Sequence, residues 1–597
     1  MALLKISLLI LCTALLVPEI LKYVNNSGAH ILTKQLNQTY DYIVIGGGSA
    51  GVTVASRLAE DDHVSVLILE SGSHFGDNHR FYEPPQWMHL LNTRYDWAYL
   101  TEPQDHAFFG MKDKRGSWPR GHVFGGSGSI NVLQYTRGSR FDFDEWAEDG
   151  CTGWSYQDVL PYFLKSEDMH IPEFRDSKYH SVGGEIAVSD SDVSPISKIF
   201  RNAGEELGYP VRDYNGELQE GFNKIQFNIR KGVRSSAAIE FFKTKRNNVH
   251  VATDSHVTKV YFENKKAVGV YFIQDGRKRF VKSKSEIILS AGSINTPQIL
   301  MLSGIGPKQH LEEMGIPVVR DLPVGNNLQD HQQVSLCTKT EKHYSITPKS
   351  LESTWSAIQY KLFGTGPRSI AGSDGSAFLH LDKNDQGKSY PDIQMVMFPS
   401  LFGKNIFNYR EEIAKDMLSQ TPNEHGFCVF VALTHPRARG TIRLKSSDPF
   451  DYPLINPNYF YDQKDINDLI GGIRIWEQLM ETRAFKELGV DFSLMKKPFC
   501  SQHLFCSDNY WECIIRYTAF TQFHPTSSCK MGSLENINTV VDPQLRVKGI
   551  EGLRVVDASI FPKITSGNTN APTIMVAEKA ADIIRGKITI NHLKRSL

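Results

Sequence analysis

Residues 40–70 constrain the fold of this chain more than any other stretch of its sequence. An apolar, β-branched run at 40–45 is followed by the turn Gly46-Gly-Gly48-Ser49-Ala-Gly51, a helix-like run and a second apolar run that ends at Glu70. Strand, glycine turn, helix, strand and acidic residue, in this order, form the plan of a dinucleotide-binding βαβ unit. The stretch therefore predicts an α/β fold with a nucleotide cofactor at the turn.

The special positions of this turn each have a physical reason. Gly46 permits the tight turn, Gly48 lets the backbone approach a pyrophosphate, and Gly51 lets the helix pack closely on the strand. Free N–H groups at the helix N-terminus attract the phosphates. The Glu70 carboxylate can accept hydrogen bonds from ribose hydroxyls. We expect these four residues and Ser49 to contact the cofactor, although the unit alone does not say which dinucleotide binds.

Size and charge narrow the class of protein. The chain has 597 residues, which is enough for at least two domains, and 41% of them are hydrophobic. Lys+Arg and Asp+Glu are 66 each, so the formal net charge is zero. Binding to nucleic acid or to an anionic membrane surface needs a basic excess. We therefore expect neither as a main partner.

The N-terminal segment has the features of a targeting signal. Lys5 precedes a short apolar run at 6–17, which is too short to span a bilayer. A charged start followed by such a run predicts a secretory signal peptide over about residues 1–20; an uncleaved anchor or a buried hydrophobic helix is the alternative. The sequons Asn25-Asn26-Ser27 and Asn37-Gln38-Thr39 follow it. A secreted glycoprotein is expected.

The cysteines fit an oxidising compartment. Of eight cysteines, Cys12 lies in the expected signal, and Cys500, Cys506, Cys513 and Cys529 cluster near the C-terminal end. The cluster predicts one or two disulfides, with at least one of the seven remaining thiols free or paired between chains. A zinc site is the rival interpretation, but no C-x-x-C spacing supports it. We expect no metal site.

The order of motifs predicts a split cofactor domain. Residues 38–335 form its N-terminal part, with excursions into a second domain at about 73–112 and 141–245. Residues 336–538 mix strands and helices and form the body of that second domain. Residues 539–586 have the pattern of a strand, a loop and a helix, and are predicted to form the C-terminal segment of the cofactor domain.

Four separated motifs resemble the glucose–methanol–choline (GMC) oxidoreductase family, whose members carry FAD. They are the first glycine turn with Glu70, the block from Gly125-Gly126-Ser127 to Asn131, the block 292–306, and a C-terminal segment with His524 and Asn568. The resemblance covers about residues 40–586 and is greatest to secreted insect glucose dehydrogenase-like members. It implies a Rossmann-like FAD-binding domain with an inserted α+β substrate domain.

Two positions depart from the family pattern. His122 stands where a lysine or arginine is usual, and Phe124 where an aliphatic residue is usual. We expect no loss of FAD binding from either, because the following glycine, serine and asparagine positions remain. Some members attach FAD through a histidine just before the asparagine of this block. Here that position is Ile130, which implies a non-covalent flavin.

The resemblance also implies the chemistry. Oxidation of an alcohol needs a base for the hydroxyl proton and a hydride acceptor, flavin N5. His524 suits the base, since imidazole titrates near neutrality, whereas a His-Pro pair alone means little among 20 histidines. Asn568 would position the reacting hydroxyl; capping of the last helix by Asn568 or Asn570 is the alternative. Further expected FAD contacts are Gly125, Gly126, Ser127, Asn131, Val257, Asp557 and Asn568.

These expectations describe a secreted FAD-dependent enzyme that oxidises an alcohol or sugar and passes electrons to a quinone or to oxygen. Two alternatives stay open: a lyase that keeps FAD without redox chemistry, and a flavin-binding protein without catalysis. Substrate identity and oligomeric state do not follow from the sequence.

Overall fold

The computed structural model describes residues 31–588 apart from 34, 191–193, 245, 386 and 419–422. The expected signal peptide, Cys12 and the sequon at 25–27 lie outside the described residues. Within the described part of the chain, no helix is long and apolar enough to cross a membrane.

Two seven-stranded sheets organise the described residues. Their strands, in chain order, are β1 (Thr39–Ile45), β2 (Val66–Leu69), β3 (Gly221–Asn223), β4 (Val249–Ala252), β5 (Ser255–Glu263), β6 (Lys266–Gln274), β7 (Arg277–Leu289), β8 (Gln332–Thr340), β9 (Gly375–Leu379), β10 (Ile393–Phe398), β11 (Gly426–Leu433), β12 (Val490–Asp491), β13 (Phe520–Thr521) and β14 (Leu553–Val555).

The α-helices of the described residues surround these sheets. They are α1 (Ser49–Leu58), α2 (Arg140–Glu148), α3 (Tyr156–Ser166), α4 (Pro195–Glu206), α5 (Ala237–Phe241), α6 (Gly292–Leu302), α7 (Lys308–Glu313), α8 (Pro348–Glu352), α9 (Thr354–Phe363), α10 (Glu411–Met417), α11 (Gln463–Met480), α12 (Arg483–Lys486), α13 (Asp508–Thr518) and α14 (Asn570–Ile584).

The first sheet confirms the predicted βαβ unit. Its strand order is β4-β2-β1-β7-β6-β5, and β14 pairs with β7. β1 is parallel to both β2 and β7, and all four residues of β2 are buried, as in a sheet covered on both faces. All ten residues of α1 are buried too, and α1 packs against α14. The last strand and helix of the described residues, β14 and α14, therefore complete the fold that β1 and α1 begin.

The second sheet is antiparallel, in the order β12-β8-β11-β10-β9-β3, with β13 on β8. β3, which comes from the excursion at 141–245, pairs with β9 of the later block. β8 begins at residue 332 and belongs to this sheet. The domain boundaries at 335 and 538 stay a prediction, since no strand pairing tests them to the residue.

Two disulfides are present in the described residues. Cys500–Cys513 lies in the expected cluster, so that cluster forms one disulfide. The Cys337–Cys428 disulfide was not foreseen; it joins residues directly opposite each other on β8 and β11, with Cα atoms 4.0 Å apart. Among the described cysteines, three are free: Cys151, Cys506 and Cys529.

Candidate functional site

A single continuous cavity runs from the carboxyl ends of β1 and β2 to the second sheet. It has a volume of about 240 Å³ and is partly open to solvent. Most predicted site residues line it: Gly46, Gly48, Ser49, Glu70, Gly126, Ser127, Asn131, Val257, His524, Asp557 and Asn568. Gly51 and Gly125 do not line it and lie behind its wall. The topology thus brings together residues more than five hundred positions apart.

The first glycine turn has the geometry that its sequence predicts. Gly46 has φ +100°, in the region that favours glycine. A Cβ on Gly51 would lie 1.9 Å from the Gly46 carbonyl oxygen, so only glycine lets α1 approach the turn this closely. A Cβ on Gly48 would meet no atom nearer than 3.9 Å. The space beside Gly48 is therefore left open by the protein, as a bound pyrophosphate requires.

The second glycine turn packs directly on the first. The Gly125 N–H donates to the Gly47 carbonyl at 2.6 Å, and a Cβ on Gly126 would lie 2.9 Å from the Gly48 Cα. Close contact between the two backbones explains the glycines of the second motif. Gly125 therefore shapes the cavity wall rather than lining it.

Two side chains of this second motif hold the surrounding loop in place. Ser127 Oγ accepts a hydrogen bond from the Gly121 N–H at 3.1 Å. Asn131 Oδ1 accepts one from the buried Arg234 guanidinium at 2.7 Å. Both residues therefore line the cavity from a loop that these hydrogen bonds hold in place.

Two buried carboxyl groups fix the backbone around the cavity. Glu70 accepts hydrogen bonds from the N–H groups of Gly47 (2.8 Å) and Gly72 (2.7 Å), and burial raises its pKa to about 7. Asp557 accepts from the Gly292 N–H at 2.8 Å and from Thr296 Oγ1 at 2.6 Å. Both carboxyl groups therefore hold the protein around the cavity, whether or not they also bind a ligand.

The helix N-termini at the cavity fit a phosphate-bearing cofactor. Gly48 and Thr569 are the N-cap residues of α1 and α14, and neither helix has a side-chain cap. The Asn570 side-chain Oδ1 instead accepts from Ser49 Oγ at 2.7 Å, so the alternative that Asn568 or Asn570 caps α14 is wrong. Uncapped N–H groups and positive helix ends favour anions. With the open space at Gly48, these residues fit the expected FAD.

His524 lies at the far end of the cavity, 8% exposed, in a chain of hydrogen bonds. His331 Nε2 lies 2.9 Å from the Thr434 carbonyl oxygen and must donate to it, because a carbonyl only accepts. The pKa of His331 is lowered to about 3, chiefly by burial, so this ring is neutral and its Nδ1 is an acceptor. His524 Nδ1, 2.9 Å from that atom, is therefore the donor. Neutral His524 therefore carries its proton on Nδ1, and its Nε2 is unprotonated with a free lone pair.

Asn568 faces that lone pair. Its Nδ2 is 3.3 Å from His524 Nε2, while its Oδ1 accepts from Gln394 Nε2 (3.3 Å) and Thr136 Oγ1 (3.4 Å). Gln394 Oε1 in turn accepts from Gln522 Nε2 at 2.9 Å. The amide is thus oriented with its N–H groups toward the histidine and the cavity.

The surroundings keep His524 unprotonated. Its pKa lies well below the ordinary value, first because the ring is buried and then because His331 and the Arg120 guanidinium lie nearby. The His524 backbone N–H donates to Asp330 Oδ1 at 2.8 Å. The ring is held by its bond to His331 and the backbone by its bond to Asp330. The orientation of the Nε2 atom is therefore fixed.

Sequence inspection missed two of these residues. His331 stands in a polar loop, Asn326 to His331, and nothing local indicates that it meets a histidine 193 positions later. Arg120 precedes the second glycine motif and lines the cavity, where it donates to the Phe523 carbonyl at 2.5 Å. A cation directly before a glycine-rich turn was the only available signal.

No group of three or more His, Cys, Asp or Glu side chains within the described ranges could hold a metal ion. The Cys500–Cys513 disulfide uses two of the four cysteines that a zinc site would need.

Comparisons of this chain with protein families and with individual known proteins agree with one another. The sequence profiles of the GMC oxidoreductase N- and C-terminal domains match residues 40–333 and 436–577. The chain is 39% identical over 557 residues, 92% of its length and 87% of the relative, to glucose dehydrogenase (FAD, quinone) of Drosophila pseudoobscura pseudoobscura. It is 37% identical over 573 residues to alcohol dehydrogenase (acceptor) of Pseudomonas putida, covering 94% and 98% of the two chains.

The fold is shared with solved structures. A crystal structure of formate oxidase superposes with a TM-score of 0.81 at 28% identity, covering 93% of this chain and 99% of the other. The profile matches and this likeness confirm the predicted α/β fold class.

Proposed function

Because the chain belongs to the GMC oxidoreductase family, we propose that it is an FAD-dependent enzyme that oxidises an alcohol or sugar CH–OH group to a carbonyl. The observation that carries the proposal is the neutral His524 with its Nε2 lone pair facing Asn568 at 3.3 Å. A base and a hydrogen-bond donor around one small space are what removal of a hydroxyl proton requires.

The proposed roles follow from the geometry. His524 Nε2 accepts the hydroxyl proton, and the resulting imidazolium keeps its Nδ1–H bond to His331. Asn568 Nδ2–H donates to the substrate oxygen and holds it beside the base. When bound, the flavin of FAD supplies the hydride acceptor at N5. His524 is only 8% exposed, so little of the base is open to solvent.

The cofactor side of the proposal uses the two glycine turns. Gly46, Gly48 and Ser49 would meet the pyrophosphate and Glu70 the ribose. Gly126 to Asn131 and Asp557 would lie toward the flavin, and Val257 toward the adenine. Ile130, which lines the cavity, has no group that could bond covalently to a flavin. We therefore propose non-covalent FAD.

Anaerobic titration of the purified holoprotein tests the proposed function. A panel of sugars and primary, aromatic and terpenoid alcohols is mixed with the enzyme while the flavin absorbance is recorded. At least one alcohol should bleach the flavin, and re-oxidation by a quinone or by oxygen, with peroxide measured, identifies the acceptor. A flavin left unbleached by every alcohol would favour one of the two non-redox alternatives, the lyase or the flavin-binding protein without catalysis.

We also propose that the protein is secreted. The charged and apolar pattern of residues 1–20 supports this, and so do the two disulfides, because disulfides persist in oxidising compartments.

His331 offers a test of the tautomer assignment. In His331→Leu the Nδ1–H of His524 loses its acceptor, so Nε2 is no longer kept bare, and the rate of flavin reduction should fall roughly tenfold to a hundredfold. His331→Gln should restore most of this rate, because its amide can both accept from His524 and donate to Thr434. Equal rates for the two variants would contradict the positioning role. Melting temperature and FAD content serve as controls for folding.

A further inference from the structure

Helix α9 carries an apolar face that nothing in the described structure covers. Trp355 is 69% exposed, Phe363 68%, Leu362 46% and Ile358 42%. Their spacing (i, i+3, i+7 and i+8) places them on one side of the helix. Of the ten residues of α9, Ser356 alone is buried. A contiguous patch of this kind marks an interaction surface more often than scattered apolar residues do.

The helix is well defined at both ends. Ser353 Oγ accepts from the Ser356 N–H at 3.1 Å at its start, and Gly364, with φ +65°, ends it in a left-handed conformation. Tyr360 hydroxyl donates to the Gly232 carbonyl at 3.0 Å and anchors its opposite side. The apolar side chains are therefore presented outward by a fixed helix.

Cations outnumber acidic residues in the chain segments next to this helix. Between 348 and 368 the charged residues are Lys349, Lys361, Arg368 and Glu352, an excess of two cations. Lys231 adds a third, since its carbonyl lies beside Gly364. Lys231, Lys349 and Lys361 form no ion pair with any described residue. The balance of 66 basic and 66 acidic residues, which predicts no anionic surface as a main partner, conceals this local excess.

The same segment touches the wall of the cavity. Just beyond α9, the Ala371 carbonyl accepts from the Trp87 indole N–H at 2.8 Å, and Ser373 Oγ accepts from Gln134 at 3.1 Å. Trp87 and Gln134 both line the cavity. The segment that directly follows α9 in the chain therefore contacts two residues of the cavity wall.

We propose that α9 and its flanking cations bind the surface of an anionic lipid bilayer. Aromatic and aliphatic side chains on one side of a helix with lysines at its margin are the features of an interfacial helix. A second copy of the chain is disfavoured as the occupant. In a two-fold interface the same surface of both subunits is used, so the lysines of one copy would face the lysines of the other. This inference does not depend on the proposed reaction.

Flotation of the holoprotein with vesicles tests it. At low salt the protein should float with phosphatidylcholine vesicles that contain phosphatidylserine and bind pure phosphatidylcholine more weakly. Trp355→Ser with Phe363→Ser should lower binding by about a hundredfold, and Lys349→Gln with Lys361→Gln by about tenfold or more. Alcohol oxidation in solution should not change.

Matched controls make the test decisive. Leu504 and Ile537 are 81% and 86% exposed elsewhere on the chain, so Leu504→Ser with Ile537→Ser should leave binding unchanged. Failure of the wild type to bind anionic vesicles would overturn the proposal, and so would equal binding by the Trp355/Phe363 variant. Light scattering that showed a dimer dissolved by that variant would assign the face to a second copy and overturn it as well.

Discussion

His524→Ala should lower the rate of flavin reduction by an alcohol about 10²- to 10⁴-fold, the usual contribution of a positioned general base, while FAD stays bound. The reason is local: His524 is the one titratable side chain that contacts Asn568 in the described hydrogen-bond network, so the variant lacks a base beside the expected position of the substrate hydroxyl. Single-turnover reduction under anaerobic conditions measures this step without interference from the electron acceptor.

The pH dependence gives the same assignment a second readout. His524 acts as a base only when unprotonated, and its pKa lies well below the ordinary value of 6.5. The rate should therefore be flat from about pH 6.5 upward and fall only in more acidic solution, as the imidazole becomes protonated. His524→Gln fills a similar volume and retains hydrogen bonding without a titratable base. It separates proton abstraction from packing, and wild-type reduction rates in either variant would remove His524 from the base role.

How much of this site the sequence predicts depends on how local each contact is. The glycine turn at 46–51 and the strands around it are determined by residues close together in the sequence. The fold class and the cofactor-binding turn could therefore be inferred directly. The bond between His331 and His524 spans 193 positions and arises because β13 pairs with β8, a register that neither segment encodes on its own. The Cys337–Cys428 disulfide depends on the pairing of β8 with β11 in the same way.

The apolar face of α9 shows a different limit. Its residues have an ordinary amphipathic spacing, which predicts a helix with one buried side. The structure instead anchors the helix through Tyr360 and leaves Trp355 and Phe363 outside. Periodicity identifies an apolar face, but only the tertiary fold decides whether the protein itself covers that face.

Valine at Gly48 and valine at Gly51 should have different consequences, although the added atoms are the same. The Gly48 backbone is extended, with φ −77° and ψ −172°, and its Cβ would meet nothing nearer than 3.9 Å. Gly48→Val should therefore fold, but its side chain would occupy the space expected for the pyrophosphate. FAD affinity should fall by about a hundredfold, the effect of roughly 3 kcal/mol of steric conflict.

At Gly51 the added Cβ lies 1.9 Å from the Gly46 carbonyl oxygen, so α1 must move away from β1 before any cofactor is considered. Gly51→Val should thus lower both the melting temperature of the apoprotein and the FAD content. Gly48→Val should lower the FAD content but leave the melting temperature of the apoprotein unchanged. Flavin released into the supernatant after denaturation measures cofactor content, and calorimetry of the apoproteins measures stability. Full FAD content in Gly48→Val would show that the pyrophosphate does not cross this turn, whatever the outcome at Gly51.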